Sequence, residues 1–306
     1  MSTPLFSGAI TALITPFNNG KIDAKAFQEF VKWQLDEGIH GVVPCGTTGE
    51  TATMTDKEDE EVIRLCLEVA KGKVPVIAGC GSNDTAHAIK ASQAAEKLGA
   101  DATLHVTPYY NKPTQEGLYQ HFKAVHDNTG LPIILYNVPG RTSTNLTVET
   151  LARLVELPRI AGIKDATGDL QRPLKTRKLC GDTFIQLSGN DDTALAMLAQ
   201  GGVGCISVVS NVAPKLASEM QNAWRKGDIA TAQKINFQLA PLVEALFVET
   251  SPGPVKYAAS LLGKCRNELR LPLVPVGKAT EKLVKDAMVQ ALLDVALPGD
   301  ALAKAG

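Results

Sequence analysis

Eight apolar runs of strand length, each followed by a loop and most by a segment of helical spacing, constrain this chain more than any other feature. They begin at Gly8 (GAITALIT), Gly41 (GVVPCG), Val74 (VPVIAGC), Ala102 (ATLHVT), Pro132 (PIILYN), Ile160 (IAGIKD), Phe184 (FIQLSG) and Val203 (VGCISV). Most are continuously apolar rather than alternating, as strands buried on both faces are. Helical segments read between them. Ala24 to Glu37 places Phe27, Phe30, Val31 and Leu35 on one face, ahead of Gly38. Thr55 and Glu58 form a capping box before a helix closed by Gly72. Asp84, Thr114 and Thr147 start three more, stopped by Gly99, Gly130 and Pro158. Strand–helix units in series require right-handed parallel crossovers, and eight of them predict a closed (β/α)8 barrel rather than an open sheet.

From about Trp224 the strand signal stops, and Asp228–Glu249, Val255–Leu262 and Glu281–Leu297 read as helices. The expected organisation is a barrel over 1–224 and a helical extension over 225–306 packed on it.

Bulk properties narrow the function. With 306 residues, 44% of them hydrophobic, the chain has ample material for one large core. Charge is balanced, 31 basic against 32 acidic residues, with no basic stripe. Nucleic acid and membrane surfaces are therefore not expected partners. The N-terminus is apolar but has no basic leader or small-residue cleavage site, and no long apolar run follows. Cys45, Cys66, Cys80, Cys180, Cys205 and Cys265 form no CxxC pair, which suits reduced thiols and a cytoplasmic location. The five histidines form no HxH or HExxH, so no metal site is expected.

In such barrels chemistry sits at the C-terminal ends of the strands. The runs end there in Gly46-Thr47-Thr48-Gly49-Glu50, Pro108-Tyr109-Tyr110-Asn111, Tyr136-Asn137, Lys164-Asp165 and Ser188-Gly189-Asn190-Asp191. Lys164 is the most informative. An ammonium in an apolar strand loses hydration, and the free amine is the form that attacks a carbonyl to give a Schiff base. The plainer reading is a strand-end lysine paired to a carboxylate such as Asp165. Tyr136, on the neighbouring strand, has a phenol suited to moving protons, with hydroxyls at Thr47 and Tyr110 to relay them. The plainer reading of each tyrosine is a packed ring. The GTTGE loop offers backbone N–H groups to an anion or is simply a tight turn, and it lacks the lysine of a nucleotide P-loop. Arg141, in a Pro-Gly loop, is either a surface residue or a fork for a carboxylate.

Together GTTGE, the stretch TPYYNKPTQEGLYQHF, YNVPGRT, AGIKDATGD and SGND resemble the dihydrodipicolinate synthases, also called 4-hydroxy-tetrahydrodipicolinate synthases. These lyases belong to the Schiff-base aldolase superfamily that includes N-acetylneuraminate lyase. The similarity runs over essentially the whole chain. It implies condensation of pyruvate with L-aspartate 4-semialdehyde in the diaminopimelate route to L-lysine, with no metal or organic cofactor. Lys164 would carry pyruvate, Tyr136 would be the general acid/base, and Thr47 and Tyr110 would complete its relay. Thr47, Thr48, Gly189 and Ile206 would hold the pyruvate adduct, and Arg141 the semialdehyde carboxylate. Family members are usually homotetramers, dimers of dimers in which the residue matching Tyr110 crosses into the neighbouring site.

The resemblance also matches Thr51, Ala52, Asn83, His87 and Tyr109 to the site where inhibited members bind lysine. His87 stands where those members tend to carry a carboxylate, and Asp56 and Asp59 where enterobacterial-like members carry histidines. Weak or altered feedback by lysine is therefore expected. The competing function is an aldolase on a sugar-type 2-keto acid with the same lysine chemistry. A barrel kept only for ligand binding, an isomerase acting on phosphates and a metal hydrolase fit the rim residues less well.

Overall fold

A computed structural model describes residues 5–292. Residues 1–4, and the part of the last expected helix beyond Leu292, lie outside them. All eight expected strands form: β1 Gly8–Ala12, β2 Gly41–Val43, β3 Ile77–Gly79, β4 Ala102–Val106, β5 Ile133–Asn137, β6 Ile160–Asp165, β7 Ile185–Ser188 and β8 Gly204–Ser207. They make one parallel sheet in the hydrogen-bonded order β2-β1-β8-β7-β6-β5-β4-β3. The seam between β2 and β3 closes through a single parallel bridge, Val42 to Val76. Beside it the N–H of Val42 donates to Pro75 O and that of Gly79 to Pro44 O, both at 3.0 Å. The backbones approach so closely here that a Cβ on Gly79 would lie 2.0 Å from Cys45 O.

The barrel is filled, not hollow. Ile10, Val43, Ile77, Leu104, Ile134 and Ile206 are among the buried side chains of one interior cluster, and Tyr136 tops it. Outside the strands run α1 Ala24–Asp36, α2 Asp56–Ala70, α3 Thr85–Leu98, α4 Gln115–Asp127, α5 Val148–Val155, α6 Arg172–Cys180, α7 Ala194–Ala199 and α8 Pro214–Arg225. Their starts follow the capping chemistry of the sequence. Thr55 and Glu58 make the complete capping box, and Asp84, Thr114 and Thr147 each accept a first-turn N–H. Helix α4 ends at Asp127 with Asn128 as its cap, earlier than Gly130 suggested. Helix α6 gave little signal because RPLKTRKLC has few apolar positions, and α7 because it is six residues long. A two-residue hairpin, Phe17–Asn18 with Lys21–Ile22, was also not expected; it turns at Asn19-Gly20, both at positive φ.

After the barrel come α9 Ile229–Ala245, α10 Gly253–Leu261 and α11 Lys278–Ala291. Leu242 of α9, Val255 of α10 and Met288 of α11 are fully buried in the same cluster as Phe27 of α1 and Val62 of α2. No helix among the described residues is long and apolar enough to cross a membrane.

Candidate active site

Tyr136 and Lys164 are paired in register across β5 and β6, one residue before each strand ends. Both are buried, and the lysine Nζ lies 4.1 Å from the centre of the tyrosine ring. The pleat sends the next residue to the other face. There the Asp165 carboxylate is taken by Arg172 Nε at 2.8 Å, the Thr167 N–H at 2.9 Å and the Thr167 hydroxyl at 2.6 Å. Arg172 also donates to Leu146 O at 3.0 Å. The carboxylate nearest in sequence therefore has other partners. Among the described residues Lys164 makes no hydrogen bond or ion pair, which leaves its amine available as a nucleophile.

The GTTGE segment leaves β2 and winds into a short turn over Thr47–Gly49. Gly49 N–H donates back to Gly46 O at 3.0 Å and Glu50 N–H to Thr47 O at 3.1 Å. The N–H groups of Thr47 and Thr48 have no partner among the described residues and are free for an anion. Glu50 closes the turn in the left-handed region at φ 60°. Its carboxylate is buried and accepts from Lys256 Nζ at 2.6 Å. Sequence reasoning missed this role of Glu50, because its partner lies 206 residues away.

Arg141 sits on a one-turn helix, Pro139–Thr142, directly after β5. Its guanidinium is exposed and donates to Ser251 O at 3.3 Å. The loop is locked from below, where the Thr142 hydroxyl accepts from the Thr107 hydroxyl at 3.2 Å. Gly189, after β7, packs against Ala166 so tightly that a Cβ would come within 2.6 Å of the alanine Cβ. These elements enclose a cavity of about 110 Å³, and Thr47, Thr48, Tyr136, Arg141, Lys164 and Gly189 all line it. Phe247 and Ser251 line it as well. They come from the extension, where only helices had been read.

Two expected site residues are not brought to this cavity by the single chain. Tyr110 is 90% exposed, at φ 69°, and does not line it. Ile206 lies within the barrel interior, fully buried. Of the five residues matched to a lysine site, Thr51 lines the cavity, and its hydroxyl reaches Asp59 at 3.0 Å. Asn83 donates to Tyr109 O at 3.2 Å, while Ala52 is exposed. His87 and Lys90 both hold Asp56, at 2.9 and 2.6 Å, and these bonds draw its carboxyl down to about 2. Burial instead pushes the Asp59 carboxyl up to about 6. Asp56, Asp59, His87 and Lys90 line a second, smaller cavity of about 30 Å³.

The sequence profile of the Dihydrodipicolinate synthetase family matches residues 5–291. The chain belongs to this family. It is 60% identical over 286 residues to the 4-hydroxy-tetrahydrodipicolinate synthase of Rhodospirillum centenum, covering 94% of this chain and 98% of that one. It is 56% identical to the enzyme of the same name from Bradyrhizobium diazoefficiens, covering 94% and 97%. Among solved structures, the 4-hydroxy-tetrahydrodipicolinate synthase of Methylacidiphilum fumariolicum SolV superposes with a TM-score of 0.93 at 40% identity, covering 94% of this chain and 96% of that one. The chloride-inhibited dihydrodipicolinate synthase of Acinetobacter baumannii, complexed with pyruvate, gives 0.91 at 43% identity, covering 93% and 98%. The barrel and its helical extension are thus the fold of the dihydrodipicolinate synthetase family.

Proposed function

We propose that this chain has 4-hydroxy-tetrahydrodipicolinate synthase activity, a Schiff-base lyase reaction of the diaminopimelate route to L-lysine, with Lys164 as the carrier of pyruvate. The amine attacks the C2 carbonyl and water leaves, giving an imine whose methyl carbon loses a proton. The resulting carbon nucleophile adds to the aldehyde of L-aspartate 4-semialdehyde, and the adduct leaves the lysine as it cyclises. Tyr136, against the lysine, moves the protons as general acid and base. Thr47 belongs to its relay, and Tyr110 serves the site of a neighbouring subunit in a homotetramer of paired dimers. The free N–H groups of Thr47 and Thr48 hold the pyruvate carboxylate, close to Gly189 and the backbone of Ile206. Arg141 at the mouth receives the semialdehyde carboxylate. The reaction draws on no metal or organic cofactor, and it runs in the cytoplasm.

The observation that carries this reading is the unpaired, buried amine of Lys164, whose plausible counter-ion Asp165 is held by Arg172. Incubation with pyruvate, reduction with borohydride and peptide mapping by mass spectrometry test it. An adduct on Lys164 is expected; folded protein that gives none with pyruvate in excess overturns the reading. The Asp56–His87 pair in place of a free carboxylate supports weak feedback, so lysine at physiological concentration should inhibit little.

A further inference from the structure

The turn that carries Thr47 and Thr48 is held from behind by a charge pair shut off from water. Glu50 is 3% exposed and Lys256 is 0% exposed. Glu50 Oε1 accepts from Lys256 Nζ at 2.6 Å, and Oε2 from the Arg270 N–H at 3.0 Å. Lys256 Nζ also lies 4.2 Å from the centre of the Phe17 ring, with the Arg270 guanidinium 4.4 Å from the same ring. The Arg270 side chain continues to Thr53 O at 3.0 Å, just past the turn. Lys256 stands in the first turn of α10, and the residue before that helix's cap is Ser251, whose carbonyl holds Arg141. One stretch of the extension, 251–270, therefore touches two of the loops that face the cavity, the Thr47–Thr48 turn's end and the Arg141 loop.

Stability alone is a poor reason for such a pair. Burying two charges removes their hydration, and well-packed apolar residues of the same size hold a core equally well. A cation in the first turn of a helix also meets the unfavourable end of the helix dipole. Glu50 moreover occupies a left-handed backbone position that its side chain disfavours, which persists only where the surroundings fix it. What the pair does supply is direction. It fixes the end of a turn whose Thr47 and Thr48 line the cavity.

We propose that Glu50 and Lys256 are positioning residues for the reaction, setting the Thr47–Thr48 turn so that its free N–H groups meet the pyruvate carboxylate. This rests on the roles given above to Lys164 and to that turn. Neither Glu50 nor Lys256 lines the cavity, so neither touches substrate.

The test compares wild type with the double variant Glu50→Gln/Lys256→Met, which keeps the side-chain sizes and leaves no lone buried charge. Glu50→Gln alone, which keeps one acceptor oxygen, replaces the other with an N–H donor and leaves Lys256 without its counter-ion, is the second variant. Circular dichroism and melting establish folding, and borohydride trapping against pyruvate concentration gives half-saturation apart from turnover. In the double variant half-saturating pyruvate should rise about tenfold or more while kcat falls less than about threefold, the signature of lost ground-state positioning. Glu50→Gln, which breaks the same pair and strands the buried ammonium, should show a rise at least as large. A folded variant that binds pyruvate as wild type does overturns the inference and leaves the function standing. Wild-type protein that forms no Lys164 adduct overturns the functional reading, and this inference with it.

Discussion

Tyr136 lies under the amine of Lys164 as its register partner on the adjacent strand, ring centre to Nζ 4.1 Å. The two side chains share one layer of the barrel, and both line the cavity. Tyr136→Phe should keep the packing and lose the proton carrier. Steady-state kinetics should show kcat down by about 10²- to 10⁴-fold, with little change in melting temperature. A variant within a few-fold of wild type would remove Tyr136 from the mechanism.

Loss of Arg141 should separate the two substrates. The residue stands exposed at the mouth, and among the described residues its guanidinium is anchored by Ser251 O alone, at 3.3 Å. Arg141→Ala should leave borohydride trapping of pyruvate intact. It should lower kcat/KM for the semialdehyde by about 10²-fold, the loss of a charge-assisted pair of roughly 3 kcal/mol. An equal loss in both assays would place Arg141 elsewhere in the chemistry and reopen the sugar-acid alternative.

Tyr110 has its ring in solvent in the single chain, 90% exposed. If it completes a neighbour's relay, Tyr110→Phe and Lys164→Ala should each be nearly inactive alone yet complement when mixed and allowed to exchange subunits. One site of each mixed pair would then hold both an intact lysine and an intact tyrosine. Activity that never exceeds the sum of the separate variants would show that Tyr110 does not cross.

Acid should weaken the fold through His105. It is fully buried on β4, with Nδ1 unpartnered among the described residues and Nε2 3.2 Å from the Ser92 hydroxyl. Burial pulls its pKa from 6.5 down to about 3. Below pH 6.5 the unfolded chain binds a proton that the folded chain refuses, so stability is full above that pH and falls as pH drops toward 3. At pH 4.5 the loss is on the order of 3 kcal/mol. His105→Leu should flatten the fall in melting temperature between pH 7 and 4.5; an unchanged slope would assign the acid sensitivity to other groups.

The sequence by itself determined the barrel, because its signals are local. A strand buried on both faces needs an apolar run, and a helix start needs a side-chain oxygen within one turn, so β1 to β8 and the caps at Thr55, Asp84, Thr114 and Thr147 were all legible. The order of strands then placed Thr47, Tyr136, Arg141 and Lys164 at strand ends, hence on one rim. It left Lys164 with two readings, since chain order cannot say which face Asp165 occupies. The pleat and Arg172 decided that. Helix α6 stayed hidden because it lacks an apolar stripe, and the Phe17–Ile22 hairpin because its strands are too short to show alternation. Only the tertiary structure decided the rest: the seam at Val42 and Val76, Ser251 and Phe247 at the mouth, and the union of Glu50 with Lys256. Those contacts join residues far apart in the chain, so no local pattern of residue types announces them.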